Sequence, residues 1–520
     1  MKYRFFLLLI SVFAALDITV AKPRLVVNIV VGSMRAEDVT RYEKNFTEGG
    51  LKRLLREGTV YTDSRFDYQQ TLTPVSLATI TTGAQPSTHG VIGRRWFDYT
   101  SNLPVQLIGE SENPHAHNLI APTLTETLLR HSHGSRAVTI ALEPMSAVVM
   151  GGHSKQTFWM DERCQWTSSE NFVGELPNWI SRINREKYNL SYIRGDWYNF
   201  VEQSKYVNER HWDIHLSAGR RQKNYVKKTN RLDLRTDYER LLHTPGGNDA
   251  VFGFAKLAIA QYQLGEDETP DILNICLDTS RRITEVYGPE SVEVEDMIYR
   301  LDNDLEDFLT FVFAQVKDGN VVVMLTANHG SSPSLEESSN YNLRFNARQF
   351  EVIVNGFLNV RYGSGNWVLA CENKCLWLNH NLIYERGLNL SEVQNEVAIF
   401  AMQFSGVSHA LAASAMRTSY FGSGYARKLQ NSFYPRRSGD VILNLMPGWI
   451  EEQERCWSVS GSMYGYDTQV PLIFYGAGIP QQHVGRRVDM TAIAPTLAHL
   501  LEITEPAASE GEVLKEIIQF

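Results

Sequence analysis

Hydrophobic residues along the chain form short apolar runs that alternate with longer segments of helical periodicity. The short runs, rich in β-branched residues, lie at residues 24–31, 137–141, 147–150, 270–277, 320–326, 440–445 and 470–476. Runs of this length are typical of strands that are buried on both faces of a parallel sheet. Helical spacing of apolar residues occurs at residues 42–57, 124–129, 292–316 and 493–501. This alternation predicts an α/β fold with a doubly wound, mostly parallel sheet and helices on both faces.

Two segments interrupt the alternation. Residues 179–244 are rich in Tyr, Trp, Arg, Lys and Asn and lack sustained apolar runs, which predicts an inserted cap. Residues 347–418 carry short strands and two predicted helices, 390–404 and 409–416, and indicate a small α/β insertion. The core is therefore expected in three parts, at residues 22–178, 245–346 and 419–520.

The first 21 residues resemble a secretory signal peptide, with a charged start and an apolar run from Phe5 to Leu16. They predict a periplasmic or secreted protein, although an uncleaved anchor is the alternative. No later run is long and apolar enough for a membrane span, so none is expected after cleavage. The net charge of −9 shows no basic bias and argues against nucleic acid as a partner.

The five cysteines are an odd count, and two of them, Cys371 and Cys375, lie close together in the sequence. Their spacing permits a small disulfide loop in an oxidising compartment. A zinc site would need more ligands than this pair offers.

Thr73 is the first candidate for chemistry. It is a capping-type residue, and Pro74 suits the first position of a helix, where a missing N–H costs nothing. Because the start of a helix favours an anion, the Thr73 hydroxyl is a candidate nucleophile toward a phosphate or sulfate ester. A plain helix cap is the alternative interpretation.

Ligands of open α/β sheets bind at the carboxyl ends of the strands. The positions that follow predicted strands include Gly32, Asn328, His329 and the segment after Leu277. We expect these residues to converge with Thr73.

Taken together, these residues resemble the alkaline phosphatase superfamily, and most closely the bacterial periplasmic enzymes with a threonine nucleophile and a core like that of type I phosphodiesterases and nucleotide pyrophosphatases. The resemblance covers nearly the whole mature chain. It is carried by residues 30–35, 71–90, 93, 96–98, 288–289, 293–296, 300–302, 325–330, 437–441 and 466–472. It implies an alkaline-phosphatase-like fold and a pair of zinc ions at the strand ends that assist the hydrolysis of phosphoric esters.

Most of the zinc-ligand positions that the resemblance implies have changed. The nucleophile falls on Thr73 and one histidine falls on His329, and both keep their type. The remaining ligand positions carry other residues, Gly32, Arg281, Glu285, Asn328 and Gln469. Zinc sites need three or four good protein ligands, and a guanidinium cannot be deprotonated to coordinate a metal. No cofactor is therefore expected, and zinc only if the protein is an active enzyme.

The positions that contact the phosphate group in the resembled enzymes have changed as well. An asparagine and a Lys-x-Arg pair of the family fall on Arg94, Glu143 and Met145. The loss of both cations and the gain of Glu143 remove the charge complement of a phosphate in the family's pose. A shift in register that would bring Asp278 to the position of Arg281 conflicts with the ungapped spacing to Gly288.

The first functional prediction is an exported, catalytically inactive member that acts by binding or scaffolding, with a protein partner or a small anionic ligand. The alternative is an active phosphomonoesterase or phosphodiesterase that uses Thr73. An anion site made by Thr73, Arg94 and Arg281 is a narrower form of the first prediction. Against it stands a simple ion pair between Arg281 and Glu285, four residues further on.

Overall fold

The computed structural model of the chain describes residues 22–193, 196–208, 226–228, 236–335, 343–453 and 456–518. The predicted signal peptide lies outside these residues, and so does much of the predicted cap between residues 209 and 235. In the described part of the chain, no helix combines the length and the apolar character that crossing a membrane requires.

Strands and helices alternate along most of the chain. The strands are β1 (Leu25–Val31), β2 (Thr59–Arg65), β3 (Arg95–Asp98), β4 (Leu103–Gln106), β5 (Ala137–Ala141), β6 (Gln156–Met160), β7 (Trp166–Thr167), β8 (Asp196–Tyr198), β9 (Val226–Lys228), β10 (Asp271–Leu277), β11 (Val321–Ala327), β12 (Arg344–Phe345), β13 (Val368–Glu372), β14 (Cys375–Leu378), β15 (Val407–Ala412), β16 (Val441–Leu445), β17 (Ile450–Glu451), β18 (Leu472–Gly476) and β19 (Gln482–Asp489). The helices are α1 (Asp38–Arg41), α2 (Leu51–Glu57), α3 (Thr73–Thr82), α4 (Pro86–His89), α5 (Leu124–His131), α6 (Pro144–Gly151), α7 (Asn178–Arg185), α8 (Asp237–Leu242), α9 (Gly246–Tyr262), α10 (Asp278–Tyr287), α11 (Val292–Gln315), α12 (Ala347–Tyr362), α13 (His380–Glu385), α14 (Leu390–Ala401), α15 (Ala413–Thr418), α16 (Gly424–Ser432), α17 (Gly465–Thr468) and α18 (Ile493–Leu500).

A nine-stranded sheet with the order β19-β2-β18-β11-β1-β10-β5-β6-β7 forms the centre of the structure. Strand β1 pairs in parallel with β10 on one side and with β11 on the other, along its whole length. Strands β18 and β7 run against their neighbours. Every residue of β1, β10 and β11 is buried, so helices and loops cover both faces of the sheet. The predicted α/β fold with a mostly parallel sheet is confirmed.

A second, four-stranded antiparallel sheet has the order β13-β14-β16-β15. Its strands pack with α12 and α14 around a separate hydrophobic core. Strand β16 forms where the sequence predicts a strand, but it pairs in this smaller sheet rather than in the main one. The helix predicted at residues 409–416 is wrong, because β15 pairs with β16 and only the following residues form α15.

Two further predicted elements differ from the structure. The predicted strand at residues 147–150 lies inside α6, which begins at Pro144 and is almost fully buried. An apolar run that is buried on all sides carries no periodicity, so the sequence alone does not distinguish helix from strand. The predicted helix at residues 42–57 is interrupted, because the Asp302 carboxylate accepts hydrogen bonds from the amides of Thr47 and Leu51, and α2 begins only at Leu51.

The disulfide between Cys371 and Cys375 is absent, and both thiols are free. In the β13–β14 hairpin Cys371 lies opposite Leu376, on the face that packs in the smaller core. Cys375 belongs to the main core instead. Because the two side chains lie on opposite faces of the hairpin, they cannot meet.

The described part of the cap packs on α11. The Asp296 carboxylate accepts hydrogen bonds from the Trp197 indole at 2.5 Å and from the Tyr206 hydroxyl. The neighbouring Glu295 accepts from the amides of Val207 and Asn208 at 2.7 and 2.8 Å. Tyr and Trp side chains of this segment therefore attach the cap to the core.

We predict that Asp440→Asn destabilises the protein by about 2–4 kcal/mol, because its buried carboxylate accepts hydrogen bonds from the insertion and from the core. The donors are the Leu378 amide, the His380 and Gln394 side chains and the Tyr99 hydroxyl. Denaturant unfolding measures the loss. The exposed Asp307→Asn is the control, with an expected change below about 1 kcal/mol. Equal losses in the two variants would contradict this role of Asp440.

Candidate active site at the strand ends

The site lies where β1, β10 and β11 end. Val31, the last residue of β1, pairs with Leu277 and with Ala327, the last residues of its two neighbours. The next residues, Gly32, Asp278 and Asn328, therefore lie side by side at one edge of the sheet. The predicted convergence of these segments is confirmed.

Thr73 meets His329 at this edge. The Thr73 Oγ1 lies 3.2 Å from His329 Nε2, and His329 Nδ1 lies 2.7 Å from the carbonyl oxygen of Gly330. Because a carbonyl oxygen can only accept a hydrogen bond, Nδ1 carries the proton of the neutral ring. Nε2 therefore accepts a hydrogen bond from the Thr73 hydroxyl. Helix α3 has Leu72 as its N-cap, so the Thr73 hydroxyl does not cap the helix. It links α3 to the residues after β11.

His329 is a weak base in this position. Burial lowers its pKa to about 4, and the charge of Arg281 acts in the same direction. A general base works best when its pKa is close to the working pH. The pair has the geometry of a nucleophile and its base, but at neutral pH the imidazole has little tendency to take the proton.

Arg281 lies in a buried ion cluster. Its Nη2 donates to both oxygens of Glu143, at 2.9 and 2.8 Å, and its Nη1 donates to Glu285 at 2.8 Å. Arg282 also pairs with Glu143, and Arg94 Nη2 approaches the same carboxylate at 3.4 Å. The ion pair that the spacing of Arg281 and Glu285 indicates is present. Three guanidinium groups thus surround the carboxylate of Glu143.

Electrostatics holds this cluster in its ionised form. Burial alone would raise the pKa of Glu143, but Arg281, Arg282 and Arg94 outweigh it and hold that pKa well below its usual range. Burial would lower the pKa of Arg281, but Glu143 and Glu285 keep it above its usual value. The arginines therefore favour the ionised form of Glu143.

Gly32 leaves no room for a side chain. A Cβ atom at this position would lie 2.9 Å from the Leu277 carbonyl oxygen and 3.1 Å from the Arg281 backbone nitrogen. The Gly32 amide itself donates to the Leu277 carbonyl at 3.1 Å. The end of β1 and the start of α10 are therefore in direct backbone contact where the family places an aspartate.

Asn328 and Gln469 make contacts unlike those of metal ligands. Asn328 Oδ1 accepts from the Ser33 amide at 3.1 Å, and its Nδ2 has no hydrogen-bond partner. Gln469 Nε2 donates to the Thr62 carbonyl at 3.2 Å, on the wall of a separate cavity of about 680 Å³. Thr73, Arg281 and His329 do not line that cavity.

This donor set does not fit zinc. Gly32 has no side chain, Arg281 is ion-paired, and Asn328 uses its oxygen for a backbone amide. Among the described residues, no group of three or more His, Cys, Asp or Glu side chains is placed to hold a metal ion. A zinc ion would find one imidazole at the strand ends, and three or four ligands are needed.

The sequence pointed to most of these residues but missed two roles. Glu143 was recognised as a lost cation, not as the centre of the cluster. Arg282 has no role in the sequence-based prediction, although its spacing from Glu285 is that of a helical ion pair. Met145 lies buried in α6.

Comparison with known proteins agrees with this fold. The family described as type I phosphodiesterase / nucleotide pyrophosphatase matches residues 26–467. The chain is 28% identical to alkaline phosphatase PafA of Elizabethkingia meningoseptica, over 96% of this chain and 95% of the relative. It is 26% identical to alkaline phosphatase PhoV of Synechococcus elongatus, over 96% and 94%. The crystal structure of PafA superposes with a TM-score of 0.87 at 26% identity, covering 96% of this chain and all of that one.

We predict that Gly32→Asp, which restores the family's residue, destabilises the protein by about 2–4 kcal/mol, because the new Cβ meets backbone atoms that cannot move independently. Gly174→Asp is the matched control, since nothing lies within 4 Å of its Cβ position. Thermal and denaturant unfolding measure both variants. If the Gly32→Asp protein were as stable as the control, the backbone around Gly32 would be able to move aside at little cost in free energy, contrary to this prediction.

We predict that His89 makes stability depend on pH. Its Nδ1 accepts from the Val91 amide and its Nε2 lies 3.1 Å from Thr79 Oγ1. Burial, followed by the charge of Arg437, lowers the pKa of His89 from 6.5 to about 3. The stability from keeping the ring neutral is complete above pH 6.5 and is lost as the pH falls toward 3.

His89→Gln removes this dependence. At pH 7 the variant should be about 1–2 kcal/mol less stable than the parent, because it loses buried hydrogen bonds. The difference should shrink as the pH falls below 6.5 and should change sign before pH 4, which denaturant unfolding at each pH measures. A difference that stays constant over that range would contradict a neutral, buried His89.

Proposed function

Since the chain belongs to the type I phosphodiesterase/nucleotide pyrophosphatase family, within the alkaline-phosphatase-like fold, we propose that it is an exported member that no longer hydrolyses phosphoric esters and acts by binding or scaffolding. The observation that carries this proposal is the ion cluster of Arg281 with Glu143 and Glu285. A guanidinium occupies a metal-ligand position, and its charge is already matched by carboxylates of the same chain.

Phosphoryl transfer requires positive charge that is free to act on the phosphoryl oxygens. In this site the Nη atoms of Arg281 donate hydrogen bonds to two carboxylates, and Arg282 and Arg94 also form ion pairs with Glu143. Two zinc ions of the family supply several kcal/mol of transition-state stabilisation, and the described residues offer no substitute for them. The Thr73–His329 pair alone leaves most of the barrier in place.

The second candidate function is a phosphomonoesterase or phosphodiesterase that uses Thr73. The distance of 3.2 Å between Thr73 Oγ1 and His329 Nε2 favours it, since that is a hydrogen-bonded nucleophile and base. The relatives that carry the name alkaline phosphatase favour it as well. The low pKa of His329 and the matched charge of the arginines weigh against it.

Export and the identity of the partner are parts of the same proposal. Export rests on residues 1–21, and the partner is a protein or a small anionic ligand that reaches the strand ends. An acidic protein without a basic bias is a poor match for nucleic acid.

We predict that the purified mature protein contains no stoichiometric zinc and releases no p-nitrophenol from p-nitrophenyl phosphate or from bis(p-nitrophenyl) phosphate above a buffer blank. Metal analysis and product absorbance measure both, with Thr73→Ala and the exposed Thr504→Ala assayed in parallel. Stoichiometric zinc, or release that Thr73→Ala abolishes and Thr504→Ala leaves unchanged, would establish the hydrolase instead.

A further inference from the structure

Two buried N–H donors lack a partner at the strand ends. They are Nδ2 of Asn328, which is 0% exposed, and Nε of Arg281, in a residue that is 5% exposed. In the described part of the chain only two other buried side-chain N–H donors lack a partner, those of Arg240 and Trp377. A buried N–H group is destabilising unless it meets an acceptor. Two of the four are thus at positions where the family holds metal.

The contacts around the two donors fix their identity. The Ser33 amide donates to one oxygen of the Asn328 amide at 3.1 Å, so the other end of that group is the NH2. Arg281 uses Nη1 for Glu285 and Nη2 for Glu143, which leaves Nε alone. Both side chains flank the Gly32–Ser33 backbone, because the Cβ of Arg281 lies 3.0 Å from the Cβ position of Gly32.

Guanidinium groups lie close to the two donors. Arg94, Arg281 and Arg282 face the two carboxylates of Glu143 and Glu285. A third carboxyl group, that of Asp278, accepts from the Glu143 amide at 2.9 Å and from the Ser146 hydroxyl. Its oxygens are therefore directed at those donors.

We propose that the positions of the family's two metal ions favour an anion instead of cations in this chain, and that a small inorganic anion of the chloride class lies between the Nε–H of Arg281 and the Nδ2–H of Asn328. The inference rests on the proposed loss of the metal site and names the ligand chemistry of that site. A single-atom anion fits because the neighbouring Thr73 and His329 are only 4% and 1% exposed. Two N–H donors and a cation are the contacts that such an anion requires.

Thermal unfolding in chloride, compared with gluconate at constant ionic strength, tests the proposal. We expect a saturable rise of a few degrees in Tm with chloride and with bromide. A crystal of the mature protein grown in bromide should show an anomalous peak within hydrogen-bond distance of Arg281 Nε and Asn328 Nδ2. No halide-dependent rise, or a water molecule without anomalous signal at that position, would overturn the proposal. A rise with phosphate or sulfate but not with halides would overturn the single-atom assignment.

Asn328→Asp is the decisive variant, because it keeps an oxygen for the Ser33 amide and replaces the unpartnered donor by an acceptor. We expect it to abolish the halide-dependent rise, whereas Asn389→Asp, at the exposed start of α14, should retain it. An Asn328→Asp protein with the full halide-dependent rise in Tm would contradict the proposed site. Should Asn328→Asp not fold, the bromide crystal of the parent protein decides.

The outcome is separable from that of the proposed function. Zinc and Thr73-dependent phosphate release would overturn the proposed function. An inactive, metal-free protein with no halide response would overturn this inference alone.

Discussion

A buried guanidinium at the carboxyl end of the sheet organises this site. Removing a charge from water is costly unless ion pairs and hydrogen bonds replace the lost hydration. For Arg281 the replacements come from Glu143, next to the start of α6, and from Glu285, one turn along α10. These contacts fix the spacing between α6 and α10. The same residues would have to separate before a dication could approach, so the ion pairs of the cluster oppose metal binding.

The changes at the site depend on one another. The missing side chain at Gly32 permits the backbone contact with the first turn of α10, and that contact positions Arg281. The carboxylate of Glu143 in turn pairs with three guanidinium groups. A lysine at this position would repel them. Residues that share a network have non-additive effects, so restoring one family residue would disturb several contacts. This coupling explains why the substitutions form a set rather than scattered drift.

How far the sequence predicts the structure depends on the range of the interactions involved. The apolar runs of β1, β10 and β11 and the periodicity of α11 predict elements that the structure confirms. Each of these elements has a pattern of apolar residues that indicates by itself which positions are buried. Strand β15 was predicted as a helix, because its pairing with β16 is non-local. Within the site, four-residue spacing predicted the Arg281–Glu285 pair, but nothing local linked Glu143 to Arg281. The orphaned donor of Asn328 depends on the Ser33 backbone and has no sequence signal.

Thr73 and His329 show why residue type alone is poor evidence of chemistry. Both keep the type that the family uses, and they lie 3.2 Å apart. In the family a metal gives such a threonine its reactivity by stabilising the alkoxide and the phosphoryl oxygens. In this chain the imidazole accepts a hydrogen bond from the threonine hydroxyl, and its other nitrogen donates one to the Gly330 carbonyl. Burial keeps the ring neutral. Each partner satisfies a buried polar group of the other, so stability alone is a sufficient reason for the pair to be retained.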